Sequence, residues 1–375
     1  MIRPVLHVRD LQISILEYED ELKPTIEDTF LQGLELDLLM RLYEWKHLRL
    51  DRVVEPIIKC NCVISDTRFG LKYDVGIKKD HSQSKVINRT IHFEPMLFEI
   101  EDLEKIQEYD EETTMRRLSL MKEIFDGILE VKLSGINRFN HAPWDNLLAW
   151  IGMNEGMYKF ATDPDFMHAA IQRYLQMMTI HTKKYEEMGL LSSNNCFENI
   201  GYNGIGYTSQ LPEPTESGIG AKLKDIWGAN ADQIMTSVSP AMSEEFAFEY
   251  ESRYASLFGL YSYGCCERLD HKVKELRANF SNLRKVSMSP FSNIEEGMEA
   301  LGSDYVVCFK PNSNYLVGDS YDLDYLKKEL LDVCALVKKY DSNLVINMKT
   351  IITLSGDPTR LWRWCTMAED IIASF

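Results

Sequence analysis

Between residues 128 and 375 the chain alternates strand-like and helix-like segments without interruption. That rhythm restricts the fold more than any other property of the sequence. Short β-branched or aromatic runs fall at 128–133, 190–194, 233–238, 259–263, 283–288, 304–309 and 343–348. Stretches with helical spacing lie among them, at 144–161, 164–188, 242–258, 270–279, 293–301, 321–339 and 358–375. Several of these open on a capping signal: Asp163-Pro164, Ser292-Asn293 with Glu295 and Glu296, and Asp357-Pro358. Strands that alternate with helices pair in parallel, with the helices laid over them. Seven such strands, plus one from residues 3–8, predict an α/β fold, a (β/α)8 TIM barrel. A doubly wound open sheet is the structural alternative, but no glycine-rich phosphate turn follows the first strand.

No low-complexity linker divides the chain, so the barrel is expected over 126–375, with an N-terminal α+β elaboration (1–125) packed on it. Within the elaboration, 17–45 is acidic and leucine-rich with helical spacing, as in Leu34, Leu38, Leu39 and Leu42. Strand-like pieces follow at 53–64, 71–75 and 86–93, with a charged turn at 78–84, and then a charged helix over 101–125. Cys60 and Cys62 alternate on one face of the first piece and are assigned to sheet packing.

With 58 acidic against 41 basic residues, the net charge of −17 argues against nucleic acid or an anionic membrane as partner. No apolar run reaches membrane-spanning length, and the N-terminus lacks the apolar region of a signal peptide. Eight thinly spread cysteines in so long a chain suit free thiols in a reduced cytoplasmic setting. A small-molecule substrate is expected, and a homodimer is one compatible assembly.

The stretch from Leu260 to Asp270 carries the strongest chemical signal. A short aromatic strand is broken by Gly264, and Cys265, Cys266 and Glu267 follow before the next helix. In barrels that end of the strand is where ligands bind. Thiolates beside a carboxylate favour zinc or a similar metal. The plain alternative is one cysteine packed in the core and the other incidental. Other strand ends add candidates. His141 stands in a strand-to-helix loop beside Trp144, suited either to acid/base work or to packing at the helix start. Glu198 follows the 190–194 strand, as a second catalytic carboxylate or a solvated loop acid. The glycines after it (Gly201, Gly204, Gly206) predict a mobile loop that closes over a barrel mouth. Lys310 neutralises an anionic group, pairs with Glu267, or is solvated. Tyr263, Ser287, Ser289 and Asn312 are candidate hydrogen-bonding groups for a ligand.

In order, these landmarks resemble the uroporphyrinogen decarboxylase superfamily, which includes zinc-dependent methylcobamide methyltransferases. Arg3-Pro4-Val5 opens the first strand, and His141-Ala142-Pro143-Trp144 is similar to the family's Gly-Ala-Pro-Phe/Trp segment. Asp163-Pro164, Tyr174 and Met188-Gly189 fit the helix that follows. Val307 to Asn312 stands for a Gly-Asn-Leu-Asp-Pro type strand end, and Ile346 to Lys349 for an Asn-Leu-Gly-His type one. The resemblance covers roughly 128–375. It departs from the decarboxylases at Val8-Arg9-Asp10-Leu11-Gln12, which lacks the second arginine of their carboxylate-holding segment. It departs from the methyltransferases too. Their His-x-Cys becomes Tyr263-Gly264-Cys265, and Asn347-Met348-Lys349-Thr350 has no thiol where they have one.

The resemblance implies an enzyme in which a metal assists methyl transfer to or from a cobamide carried by a separate corrinoid protein. A substitute zinc set is drawn from Cys265 or Cys266, Glu267 and Cys308, although Cys308 is equally placed to be a core residue between Val307 and Phe309. Substrate contacts fall to Trp144, Tyr263, Asn312 and Ser289. The alternatives are a metal-free decarboxylase of a small or tetrapyrrole acid, using His141, Glu198 and Lys310, and a non-catalytic protein that binds a small molecule or corrinoid.

Overall fold

The computed structural model of the chain describes every residue except 1, 2, 10, 12–15, 17, 18, 67–75, 80–84, 89–106, 198 and 320. Seven strands form one parallel sheet: β1 (Val5–Val8), β2 (Asn140–His141), β3 (Trp227–Asn230), β4 (Leu260–Tyr263), β5 (Leu283–Met288), β6 (Val306–Phe309) and β7 (Asn343–Met348). Their spatial order is β1-β7-β6-β5-β4-β3-β2, so chain order is kept from β2 to β7 and the first strand joins the last. A doubly wound sheet would instead place its first strand in the interior of the sheet. The observed order is consistent with the α/β fold expected from the sequence, and the seven strands form a sheet with two ends.

The wall continues past β2. The run that ends as β2 begins as Glu130–Ser134, which pairs in parallel with Ile57–Asn61. It stops there, because among the described residues no strand pairs with the outer edge of β1. Asp51 occupies that edge at Leu6. Its carboxylate accepts from the Leu6 amide at 2.7 Å, and its own amide donates to the Leu6 carbonyl at 3.0 Å. With those groups satisfied, a strand has nothing to bond to there. The helix Thr29–His47 spans the gap instead. Phe30, Leu34 and Leu38 pack on Ile58 and Cys60, and at its far end His47 stacks on Trp362 with ring centroids 3.9 Å apart. Cys60 does pack as the sequence predicts. Val5–Val8 and Ile57–Asn61 of the N-terminal part thus pair with strands of the later chain.

Several boundaries differ from expectation for local reasons. Residues 233–238 are a 3-10 turn (Gln233–Ser237), and the strand is Trp227–Asn230, hidden from sequence by its glycine and alanine. Gly228 is required there, since a Cβ would stand 2.5 Å from the Phe258 ring. Residues 190–194 make a single bridge, Ile136 to Leu191. Beyond it Asn194 stands in for backbone, donating to the Asn137 and Trp227 carbonyls at 2.9 Å each and accepting from the Trp227 amide at 2.8 Å. Gly152, at φ 102°, splits the expected 144–161 helix into Pro143–Ile151 and Met153–Thr162. The acidic helix begins only at Thr29, where Asp28 caps two amides. The first part of 101–125 lies outside the described residues, Gln107–Asp110 is a strand, and the helix is Glu111–Ile124. Residues 71–75 lie outside the described residues, as does most of 86–93. No helix among the described residues is long and apolar enough to cross a membrane.

Replacing Asp51 by alanine removes the carboxylate that accepts from the Leu6 amide and leaves the main-chain bond to the Leu6 carbonyl in place. Urea unfolding is expected to show a loss of about 1–3 kcal/mol, with the m-value unchanged.

Candidate functional site

Residues two apart on a strand share a face. On one face of this sheet the alternation brings together His7 of β1, Lys285 and Ser287 of β5, Cys308 of β6 and Asn347 of β7, with Arg9, Lys310 and Lys349 directly past the ends of β1, β6 and β7. A single loop, 199–206, fills the space over that face. The Lys285 ammonium donates to the Asn203 carbonyl at 3.3 Å and to that of Ile205. Asn203 donates to Ser262 at 2.7 Å, Asn347 donates to the Tyr202 carbonyl at 3.3 Å, and Arg9 lies over the Tyr202 ring. Gly201 lies so close to β3 that a Cβ would sit 2.3 Å from that of Ala229. One short loop that reaches β1, β3, β4, β5 and β7 requires a strongly curled sheet. The sequence predicts a mobile lid here. The segment is instead a buried plug, and its glycines allow close packing.

The two thiols lie past the end of β4. Gly264, at φ 100°, turns the chain, and a Cβ there would come within 2.4 Å of Leu269 and 2.8 Å of Ser287. The turn carries Cys265 toward the ends of β5, β6 and β7. Its carbonyl accepts from Lys310 and, at 2.9 Å, from Ser287. Its amide donates to Glu267 at 2.8 Å. The sulfurs of Cys265 and Cys266 are 3.7 Å apart, and the Lys349 ammonium lies 2.9 Å from each. Thr350, which follows, has φ 61°, a costly conformation for a β-branched residue. That strained residue turns the backbone directly after Lys349.

The sulfurs divide their charge unequally. Cys265, buried at 5% exposure, donates toward Cys266, and this bond together with burial pushes its thiol far up. Cys266 is exposed, and the bond from Cys265, helped by Lys349, lowers it to about 5. It is a thiolate at neutral pH. Burial opposes the charge on Lys349, but the two sulfurs outweigh it and hold the ammonium above the ordinary lysine range. Lys310 is driven by burial down to about 8.

The other expected site residues are dispersed. Glu267 spends both carboxylate oxygens on backbone, accepting from the amides of Cys265 and, at 3.1 Å, Asp232. Cys308 is fully buried and accepts from Asn347 at 3.8 Å. Among the described residues no group of three His, Cys, Asp or Glu side chains is arranged to hold a metal ion. Between the two sulfurs, where such an ion would belong, stands the Lys349 ammonium. The residues present do not fit zinc.

His141 packs edge-on against Tyr254 between sheet and helices, and burial lowers it to about 3, which leaves it neutral. Trp144 is fully buried, its ring N–H donating to the Phe246 carbonyl at 3.0 Å. Tyr263 donates to Glu251 at 2.8 Å, again behind the sheet. Ser289 faces Ser292, and Asn312 accepts from the Asn314 amide within a turn. Glu198 lies outside the described residues. Of the two described members of the expected catalytic trio, Lys310 touches the thiol turn, through main chain, and His141 does not. Lys349 and Lys285 escaped the sequence reading. Their signal was there, in lysine and serine, cysteine or asparagine recurring every second residue on otherwise apolar strands.

No protein-family model matches the chain. No curated protein matches it either. Among solved structures, a methyltransferase from Methanosarcina mazei is similar at 12% identity and a TM-score of 0.46, with 98% of this chain and 93% of that one covered. So loose a likeness transfers no activity from one chain to the other.

Glu267 is read as a clamp on main chain. Glu267→Ala is expected to lower the unfolding free energy by roughly 1–3 kcal/mol, since two buried amides lose their acceptor. An unchanged urea midpoint would contradict that role.

Proposed function

We propose that the chain is an enzyme that passes a methyl or other small alkyl group through the Cys266 thiolate, with Lys349 supplying the positive charge that zinc supplies in the methyltransferases the sequence resembles. One observation carries this reading: an exposed sulfur, paired with a buried one, held 2.9 Å from an ammonium at the sheet's C-terminal end. The lone pair of the thiolate attacks the electrophilic carbon of the donor. A sulfur–carbon bond forms while the bond from carbon to the leaving group breaks, its electron pair departing with the leaving group. An acceptor then attacks the same carbon, and sulfur leaves as the thiolate. A depressed thiol pKa weakens the nucleophile somewhat but improves the leaving group, which suits a relay. Cys265 keeps its proton and steadies the charge on its neighbour. Lys310 and Ser287 fix the turn by gripping its carbonyl.

The donor in this proposal is a methylated cobamide on a separate corrinoid protein, with a small molecule as acceptor, following the order of landmarks along the chain. A reducing cytoplasm belongs to the same proposal, because the thiol pair works only while both sulfurs stay unoxidised.

Two measurements test it. The rate of Cys266 alkylation by iodoacetamide is expected to be half-maximal near pH 5, falling below that as the thiolate takes up its proton. Lys349→Met moves the midpoint up toward the ordinary thiol range and slows the reaction at pH 6 by about tenfold. Incubation with methylcobalamin should add one methylene's mass to the peptide that contains Cys266, and nothing to the same peptide of Cys266→Ser. An unmodified wild-type peptide would sink the relay.

A further inference from the structure

A cavity of about 870 Å³ lies along the seam between β1 and Ile57–Asn61, where the wall stops pairing. His7 and Val8 border it on one side, Lys59 and Asn61 on the other, and the helix Thr29–His47 runs along it. None of Cys265, Cys266, Lys310 or Lys349 reaches it. Its volume falls within the roughly 300–1,000 Å³ typical of small-molecule sites.

The charges in the cavity are unevenly matched. Its acids Asp37, Glu44 and Asp51 are each held by an arginine: Arg41 at 2.8 Å, Arg52 and Arg3. Arg117 and Arg138 line it too, and among the described residues neither makes an ion pair. Arg117 is braced 4.9 Å over the ring of Phe30, which fixes the side chain without neutralising it. Asp110 feels Arg117 from the start of the helix Glu111–Ile124, but the acids that line the cavity are already taken by other arginines, so both guanidinium groups present free donors to it. Their forked donors match the paired oxygens of a carboxylate, sulfonate or phosphate. Phe30, Leu34 and Phe197 give the same cavity apolar wall, and Asn199 contributes a buried side-chain oxygen that lacks a donor.

We infer that the seam cavity is a second binding site, separate from the thiol pair, for a small organic anion with an apolar body, whose charged group is held by Arg117 and Arg138. Phe197, Asn199 and Ile205 belong to the same run of chain as the plug that is tied to β4, β5 and β7. A bound anion therefore rests against the segment lying over the sheet's polar face.

The probe is 8-anilinonaphthalene-1-sulfonate on the full chain, with the neutral N-phenyl-1-naphthylamine as its uncharged counterpart. Saturable enhancement of the anionic dye's fluorescence is expected. Arg117→Gln/Arg138→Gln should weaken the anion by about tenfold or more and leave the neutral dye within about twofold. Arg138 is exposed, so Arg138→Gln alone tests the point, at a several-fold loss, should the double variant fold poorly. Non-saturable binding, or equal affinity in wild type and variant, overturns the site. Equal losses for both dyes overturn the ionic reading. Iodoacetamide alkylation of Cys266 should proceed at the wild-type rate in these variants, so this site and the thiol relay succeed or fail separately.

Discussion

Three lysines point into the concave face of a curled parallel sheet, and the interior is arranged to receive them. An ammonium removed from water is expensive unless its protons find acceptors. Lys285 finds them in the carbonyls of Asn203 and Ile205, which draws the loop 199–206 inside the sheet. Lys310 finds them in Ser287 and the Cys265 carbonyl, which fixes the turn after β4. Lys349 finds two sulfurs. Burial lowers the first two to about 8, whereas the sulfurs hold the third above its ordinary value. The position of the thiols and the filling of the interior both follow from satisfying these cations.

The carboxylates lie on the other side of the strands. Asp232 and Glu251 share the Tyr263 hydroxyl, and burial pushes both acids upward. Asp232 also accepts from the Trp144 amide at 2.9 Å, tying a helix start to the strand ends. Lys272 lies on that side too, donating to the Met235 carbonyl, and the acids there draw its ammonium without a direct bond. Acids and amines alike are satisfied by main chain, hydroxyl or thiol.

What the sequence discloses and what it hides follow from the range of the forces involved. Hydrophobic alternation marked β5, β6 and β7 almost to the residue, because Val286, Met288, Val307, Phe309, Leu344, Ile346 and Met348 share the face opposite the polar one. It missed β3, where Gly228 answers to the ring of Phe258 thirty residues on. The thiol pair was visible as a motif, but its partner was not. The distance from Cys265 to Lys349 along the chain is closed only by the winding of the sheet, so local reasoning looked for an ion where a lysine stands. Likewise His141 and Trp144 sit at the right place in the chain, but their side chains turn toward the helices, a choice that spacing alone leaves open.

The aspartate at the edge of β1 has a consequence for the molecule among its own copies. A curled sheet left ajar exposes strand edges, and a bare edge is a template on which a neighbouring chain can add its own strand. At Leu6 both backbone groups are already engaged by Asp51. The seam can thus stay unpaired at Leu6 without inviting edge-to-edge aggregation at high concentration.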